Sequence, residues 1–188
     1  MKEFEAKTAA ILIADQQDTF VTRRIPEAML EFGGIPGDRH FGVTIGADSR
    51  QPMYPRGTEI LNRRQITIVS QEECAMIAEN LGLERVLPEW LGANLLLSGY
   101  PEVTGLTIGS RILFPNGTGL ICMGENLPCK LPGEVIQKLH HDHPKLDTRF
   151  VRAAYKRRGI VCAVERPGKI HEGDQVRILI NNLSNPMQ

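Results

Sequence analysis

The chain has 188 residues, 41% of them hydrophobic, and its 22 basic and 22 acidic side chains give a formal net charge of zero. This length fits a single domain over residues 1–188 that buries its own core without disulfides. Zero net charge disfavours a nucleic-acid partner, because such proteins carry an excess of positive charge. No apolar run approaches the roughly 20 residues of a membrane helix, and no signal-peptide pattern is seen at the N-terminus. We therefore expect a cytoplasmic protein with no nucleic-acid partner and no membrane partner.

Short apolar runs bounded by Gly, Pro, Asn or Asp predict β-strands along most of the chain. In chain order, these runs cover residues 8–14, 65–69, 110–114, 119–123, 159–164 and 175–180. The sequence Pro115-Asn116-Gly117-Thr118 predicts a hairpin turn between the third run and the fourth, because Asn-Gly is a favoured turn dipeptide.

Helices are predicted at three places. The clearest begins at Ser70, which can form a capping box with Glu73, and an apolar stripe follows it until Gly82 ends the helix. Two shorter helices are predicted over residues 133–141 and 148–156. Strands outnumber helices, and no βαβ alternation is evident. The pattern therefore predicts a mainly β fold, a closed or nearly closed β-barrel with a few peripheral α-helices.

The four cysteines show neither a disulfide framework nor zinc-finger spacing. Cys74, Cys122 and Cys162 lie in predicted apolar segments, where a thiol packs as a small hydrophobic group. Cys129 instead lies in a proline-flanked loop, beside Lys130 and shortly before a predicted helix. Positive charge and a helix N-terminus both favour the thiolate, which attacks electrophiles and binds metals. Cys129 is the candidate catalytic residue, and an inert loop cysteine is the alternative.

A glycine-rich segment over residues 33–42 matches neither the dinucleotide-binding fingerprint nor the P-loop. Its glycines allow backbone N–H groups to approach a ligand, and Arg39 and His40 can donate hydrogen bonds to an anion. The alternative is a turn held by a local pair between Asp38 and Arg39. Further candidates for anion contacts, each with a solvated strand end as the alternative, are Arg56, Arg63 and Arg64.

A series of short motifs follows this segment in a fixed order. The series comprises Gly37-Asp38-Arg39-His40, Arg64-Gln65, Glu72-Glu73, Leu91-Gly92-Ala93-Asn94-Leu95, Glu125-Asn126-Leu127-Pro128-Cys129, Gly159, Pro167-Gly168-Lys169-Ile170 and Gly173-Asp174. It resembles the MOSC domain, the family named after the C-terminal domain of molybdenum-cofactor sulfurases. The resemblance covers a core of about residues 8–180 and is to the stand-alone bacterial members. The desulfurase domain of the full sulfurases is not seen, so pyridoxal phosphate is not expected.

The resemblance implies a β-barrel that binds the molybdenum cofactor, a molybdopterin. It matches Cys129 to the family cysteine associated with persulfide sulfur or with molybdenum ligation. It also implies a cofactor-binding cleft formed by Gly37, Asp38, Arg39, His40, Arg64 and Asn94. Arginines and glycine N–H groups suit the terminal phosphate of the pterin.

Three functions stay open at this point. The first is a sulfur carrier or transferase, in which a Cys129 persulfide takes sulfur from a cysteine desulfurase or another donor and passes it to a molybdoenzyme. The second is a molybdenum-cofactor-binding reductase of N-hydroxylated compounds, in which Cys129 ligates molybdenum and an electron-transfer protein is the redox partner. The third is a non-catalytic ligand-binding module.

Overall fold

A computed structural model describes residues 2–181 of the chain. The strands in this range are β1 (Lys2–Ile13), β2 (Arg23–Ile25), β3 (Glu27–Leu30), β4 (Thr44–Gly46), β5 (Glu59–Leu61), β6 (Ile66–Ser70), β7 (Leu95–Ser98), β8 (Arg111–Leu113), β9 (Gly119–Glu125), β10 (Ile160–Arg166), β11 (Gly168–His171) and β12 (Gln175–Ile180). The α-helices are α1 (Gln71–Leu81), α2 (Lys130–Leu139) and α3 (Leu146–Ala153). Short 3₁₀ turns cover Pro88–Leu91 and Val103–Gly105.

Seven strands close into a barrel in the order β1, β12, β8, β9, β10, β6 and β7, and β7 pairs again with β1. The 12-residue strand β1 closes the barrel because its two halves have different neighbours. Residues 2–7 pair with β12, whereas residues 7–11 pair with β7 across an irregularity between Thr8 and Ala10. The predicted closed, mainly β barrel with peripheral helices is confirmed.

Two apolar layers stabilise this barrel. The barrel interior is filled by alternate side chains of its strands, among them Ile11, Ile68 and Ile178. The second layer lies between the barrel wall and the three helices. The predicted α1 is confirmed: Ser70 Oγ accepts a hydrogen bond of 3.1 Å from the Glu73 backbone N–H, and Gly82 ends the helix at φ 74°.

The structure contains one βαβ unit that the sequence analysis did not identify. Strands β6 and β7 are parallel neighbours, and α1 lies between them in the chain. The Leu95–Ser98 strand escaped the sequence analysis because three of its four residues are buried. A short strand that is covered on both faces does not show the alternation of polar and apolar residues that reveals other strands.

The two shorter helices begin earlier than predicted. Helix α2 starts at Lys130 instead of residue 133, because Pro132 lies in the first turn, where a missing backbone N–H costs no helical hydrogen bond. Helix α3 starts at Leu146 and ends at Ala153. The earlier start of α2 makes Cys129 the residue that caps it. Within residues 2–181, no helix is long and apolar enough to cross a membrane.

Candidate functional site

Cys129 is an exposed cysteine at the N-terminus of α2, whereas Cys74, Cys122 and Cys162 are buried. Its extended backbone, with φ −128° and ψ 175°, places it at the N-cap position of this ten-residue helix. The first N–H groups of a helix lack partners within the helix and carry partial positive charge. Cys129 is therefore the thiol best placed to meet a reaction partner.

The loop before Cys129 is anchored through Asn126, whose side chain is almost fully buried. Asn126 Oδ1 accepts a hydrogen bond of 3.0 Å from Nη2 of Arg64, and its backbone N–H donates one of 2.9 Å to the carbonyl oxygen of Gly159. Burial lowers the pKa of Arg64 and the charge of Arg50 lowers it further, while Asp48 and Cys129 act in the opposite direction. Arg64 therefore lies within electrostatic range of the Cys129 thiol.

Arg158 is a site residue that the sequence analysis missed. Only 7% of its surface is exposed, its Nη2 donates to the carbonyl oxygen of Leu91, and its Nη1 has no hydrogen-bond partner within the described residues. Burial lowers the pKa of Arg158 to about 10, and the Cys129 thiolate is the main influence in the other direction. The run Lys156-Arg157-Arg158 resembles a solvated surface segment, so its sequence offers no signal of a buried guanidinium.

Asp38 and Asn94 form a buried hydrogen-bond network. Asp38 Oδ2 accepts hydrogen bonds of 2.8 Å from the Ala14 backbone N–H and from Asn94 Nδ2. Its Oδ1 accepts one of 2.8 Å from the His40 backbone N–H and lies 3.1 Å from His40 Nδ1. Burial raises the pKa of Asp38, but the hydrogen bonds from His40 and Ala14 outweigh burial and hold the pKa below its ordinary value. These bonds use both carboxylate oxygens, so the visible role of Asp38 is to support the site.

Asn94 connects this network to the barrel wall. Its Oδ1 accepts a hydrogen bond of 3.0 Å from the Thr67 backbone N–H, and its own side chain is fully buried. The polar atoms of Asn94 therefore join β6 to the Asp38 carboxylate. The turn suggested by the sequence as a local pair between Asp38 and Arg39 is instead built on His40, Ala14 and Asn94.

His40 remains partly accessible, with 30% of its side chain exposed. Its carbonyl oxygen accepts a hydrogen bond of 2.8 Å from Asn62 Nδ2, and Asn62 Oδ1 accepts one of 3.0 Å from the Arg64 backbone N–H. The buried Asn62 therefore ties the glycine-rich segment to Arg64, and through Asn126 to the loop of Cys129. In a single sequence, the buried roles of Asn62 and Asn126 cannot be told from those of ordinary turn residues.

Arg39 is exposed and lies beside α2. It lines a cleft of about 280 Å³ together with Leu131 and Glu134 from the first turns of that helix. Cys129 does not line this cleft, although it caps the same helix. Gly37, at φ 86°, gives the turn before Arg39 a conformation that other residues rarely adopt. Arg56 and Arg63 are exposed.

Hydrogen bonds through Asn126 therefore connect Arg64 and the segment of Arg158 to the loop before Cys129, and Arg39 lines a cleft along α2. A larger cavity of about 520 Å³ is lined by other residues, among them Glu73, Glu125 and Arg157. No group of three His, Cys, Asp or Glu side chains within residues 2–181 could hold a metal ion. A metal at this site would have Cys129 as its single cysteine ligand from the chain.

Comparisons with known proteins agree with this architecture. Residues 36–177 match the family described as the MOSC domain. A Bacillus subtilis (strain 168) protein named "Putative metal-sulfur cluster biosynthesis proteins YuaD" is 54% identical over 177 residues, which cover 94% of this chain and 92% of that protein. The crystal structure of the YUAD protein from Bacillus subtilis superposes with a TM-score of 0.93 at 53% identity and covers 96% of this chain and 98% of that one.

A more distant structure shares the fold alone. The crystal structure of YiiM from Geobacillus stearothermophilus is 11% identical, has a TM-score of 0.63, and covers 95% of this chain and 77% of that one. The family match spans well over half of the sequence and includes the motifs that contain Asp38, Asn94 and Cys129. This protein therefore belongs to the MOSC domain family.

Proposed function

We propose that this protein is a sulfur carrier in which Cys129 accepts a sulfur atom as a persulfide. The observation that carries the proposal is the contrast between the exposed Cys129, at the N-terminus of α2, and the three buried cysteines. A persulfide anion is favoured by the partial positive charge of a helix N-terminus and by nearby arginines, and Arg64 and Arg158 supply the latter.

The proposed loading step is a thiol–persulfide exchange. The Cys129 thiolate attacks the terminal sulfur of a donor persulfide, and a new S–S bond forms at Cys129. The donor S–S bond breaks, and the donor thiolate leaves with the electron pair, so no oxidant is consumed. We propose a cysteine desulfurase or another persulfide protein as the donor, in the cytoplasm, where thiols are kept reduced.

The proposed acceptor is a molybdoenzyme, where a dithiol reductant would supply the two electrons that convert the outer persulfide sulfur to a metal-bound sulfide. The family name refers to the molybdenum cofactor, and the name of the Bacillus subtilis relative refers to metal–sulfur clusters. The residues of the site suit such a cofactor, because the unpartnered Nη1 of Arg158 and the half-buried Arg64 offer positive charge to an anionic group. When bound, the cofactor would supply a metal that accepts soft sulfur ligands. His40 and Arg64 are partly exposed and could contact the cofactor, whereas Arg39 lines a separate cleft along α2.

The test is persulfide loading of the purified protein. Wild-type protein incubated with a cysteine desulfurase and cysteine should gain the mass of one sulfur atom and release that sulfur to cyanide. Cys129→Ser should gain none, whereas the control Cys122→Ser should load like the wild type. Equal loading of Cys129→Ser and wild type would refute the proposal. Molybdenum retained by the wild type and lost by Cys129→Ser, without persulfide, would favour the reductase of N-hydroxylated compounds.

A further inference from the structure

Arg158 is a buried cation that forms no ion pair with any side chain of the part of the chain that the structure describes. The ion pairs found within residues 2–181 include neither Arg158 nor Arg64. Among the described residues, Nη2 of Arg158 donates to the neutral carbonyl of Leu91, and its Nη1 has no hydrogen-bond partner. Burying a charge without a counter-charge is expensive, and proteins retain such groups where an anion is to be bound. The unpaired charge of Arg158 therefore favours the binding of an anion.

The position of that anion follows from the contacts around Asn126. This residue binds Arg64 through its side chain and Gly159, the neighbour of Arg158, through its backbone N–H. Asn126 thus holds both arginine segments against the loop that leads to Cys129. Helix α2 begins directly after this loop, with Cys129 at its N-cap position. Arg64 is accessible enough to touch a ligand, while Arg158 contributes positive potential from beneath the surface.

We propose that Arg64 and Arg158 form an anion-binding site beside Cys129 that selects small sulfur donors with negative charge, of the thiosulfate class. This inference rests on the proposed sulfur-carrier function. In the loading step, the Cys129 thiolate attacks the outer sulfur of thiosulfate and forms the persulfide bond. The S–S bond of thiosulfate breaks, and sulfite leaves with the electron pair. The charges balance without another reactant, and the arginines stabilise the charge that develops on sulfite.

The anion site is tested first without any sulfur transfer. Alkylation rates of Cys129 by anionic iodoacetate and neutral iodoacetamide are measured at one pH, and their ratio reports the local potential because both reagents use the same thiolate. Arg64→Met and Arg158→Met should each lower the ratio by about tenfold relative to wild type. Arg157→Met, which removes the same charge from the adjacent residue, should leave the ratio within about twofold of wild type.

A second variant at the same position keeps the test informative where Arg158→Met does not fold. Arg158→Lys keeps the positive charge and should keep the wild-type ratio, even where Arg158→Met unfolds the barrel. Arg64→Met provides the corresponding test on a partly exposed side chain, which is less needed for folding. An unchanged ratio in folded Arg64→Met, or a ratio for Arg158→Lys as low as that of a neutral variant, would overturn the anion site.

Sulfur loading then separates the donor class from the carrier function. Thiosulfate should load wild-type Cys129, and Arg64→Met should slow this loading by about tenfold while loading by a desulfurase changes less. Desulfurase loading without thiosulfate loading in the wild type would overturn the inference and leave the carrier function standing. Failure of both donors would refute the carrier function itself, whereas the alkylation ratio would still decide whether the anion site exists.

Discussion

Nη2 of Arg64 lies 3.0 Å from Oδ1 of Asn126, although the two residues are 62 positions apart in the chain. Arg64 lies just before β6, whereas Asn126 follows β9. Strands β6 and β9 are not neighbours, because β10 pairs with both of them. The hydrogen bond therefore joins two strands that are not adjacent in the barrel, and it links the residues before β6 with the loop that carries Cys129.

This bond should be visible in a double-mutant cycle. We expect Arg64→Met and Asn126→Ala to show a coupling energy of about 1–2 kcal/mol in the free energy of unfolding, because the bond joins a charged donor to a buried acceptor. The measurement is urea unfolding of the wild type, both single variants and the double variant. Additive effects would show that the bond contributes nothing to stability.

Removing the Asp38 charge should destabilise the protein. We expect Asp38→Asn to lower the free energy of unfolding by about 2 kcal/mol at pH 7, because each carboxylate oxygen accepts at least one N–H bond, so an amide N–H₂ in either position would face a donor. Because the pKa of Asp38 is lower in the folded state, its contribution to stability is present above the unfolded-state pKa of about 3.9.

This contribution is lost as the pH falls through the folded-state pKa of Asp38. The difference in unfolding free energy between wild type and Asp38→Asn should therefore shrink below about pH 4. Denaturant unfolding at a series of pH values measures this difference. A difference that stays constant down to the lowest pH would contradict the assigned direction of the shift.

The four thiols should react in a definite order. Cys129 should be alkylated by iodoacetamide first, because it is exposed and the other three are buried. Burial raises the pKa of Cys74 to about 12, which leaves little thiolate at neutral pH. Peptide mass spectrometry after a timed pulse of iodoacetamide measures the order. Labelling of Cys74 before Cys129 would contradict the structure.

The same contrast predicts different costs of substitution. Cys129→Ser should change the free energy of unfolding by less than about 0.5 kcal/mol, as is usual for an exposed side chain. Cys122→Ser should cost about 1–2 kcal/mol, since it places a hydroxyl in the apolar barrel interior. Thermal unfolding of both variants measures the difference in stability. Equal losses of stability would contradict the burial of Cys122 and the exposure of Cys129.

Gly159 should tolerate no side chain. At φ 79°, an added Cβ would overlap the carbonyl oxygen of Ile68, which belongs to the neighbouring strand β6. We expect Gly159→Ala to lower the free energy of unfolding by about 3 kcal/mol or more, because the strained backbone conformation and the overlap both destabilise the fold. Gly57 provides a matched control, because it has φ 86° and open space around its Cα.

Gly57→Ala should therefore lower the free energy of unfolding by only about 1–2 kcal/mol, because the backbone conformation alone contributes. Urea unfolding of both variants measures the difference. Because Gly159 receives the hydrogen bond from Asn126, folded Gly159→Ala protein should also show altered alkylation of Cys129. Equal stability of the two alanine variants would contradict the close approach between Gly159 and Ile68.

Local patterns in the sequence were sufficient for much of the fold. The β12 boundaries agree with the structure, and the predicted hairpin between β8 and β9 is present, although only Gly117 of its turn has a positive φ. The start and end of α1 were also predictable, because Ser70 and Gly82 act on backbone groups within one turn of themselves. Cys129 stood out for the same reason, since neighbouring prolines and a helix start are visible in the sequence around it.

Tertiary structure alone decided how the site is arranged. Arg158 reads as a surface residue, and only the closed barrel buries it within electrostatic range of Cys129. Asp38 and Asn94 read as ligand-binding residues, yet the folded chain joins them to each other across 56 positions. Hydrogen bonds and charge interactions depend on distances between residues far apart in the chain. The sequence by itself determined the local elements and the candidate nucleophile, whereas the fold determined which charges surround that nucleophile.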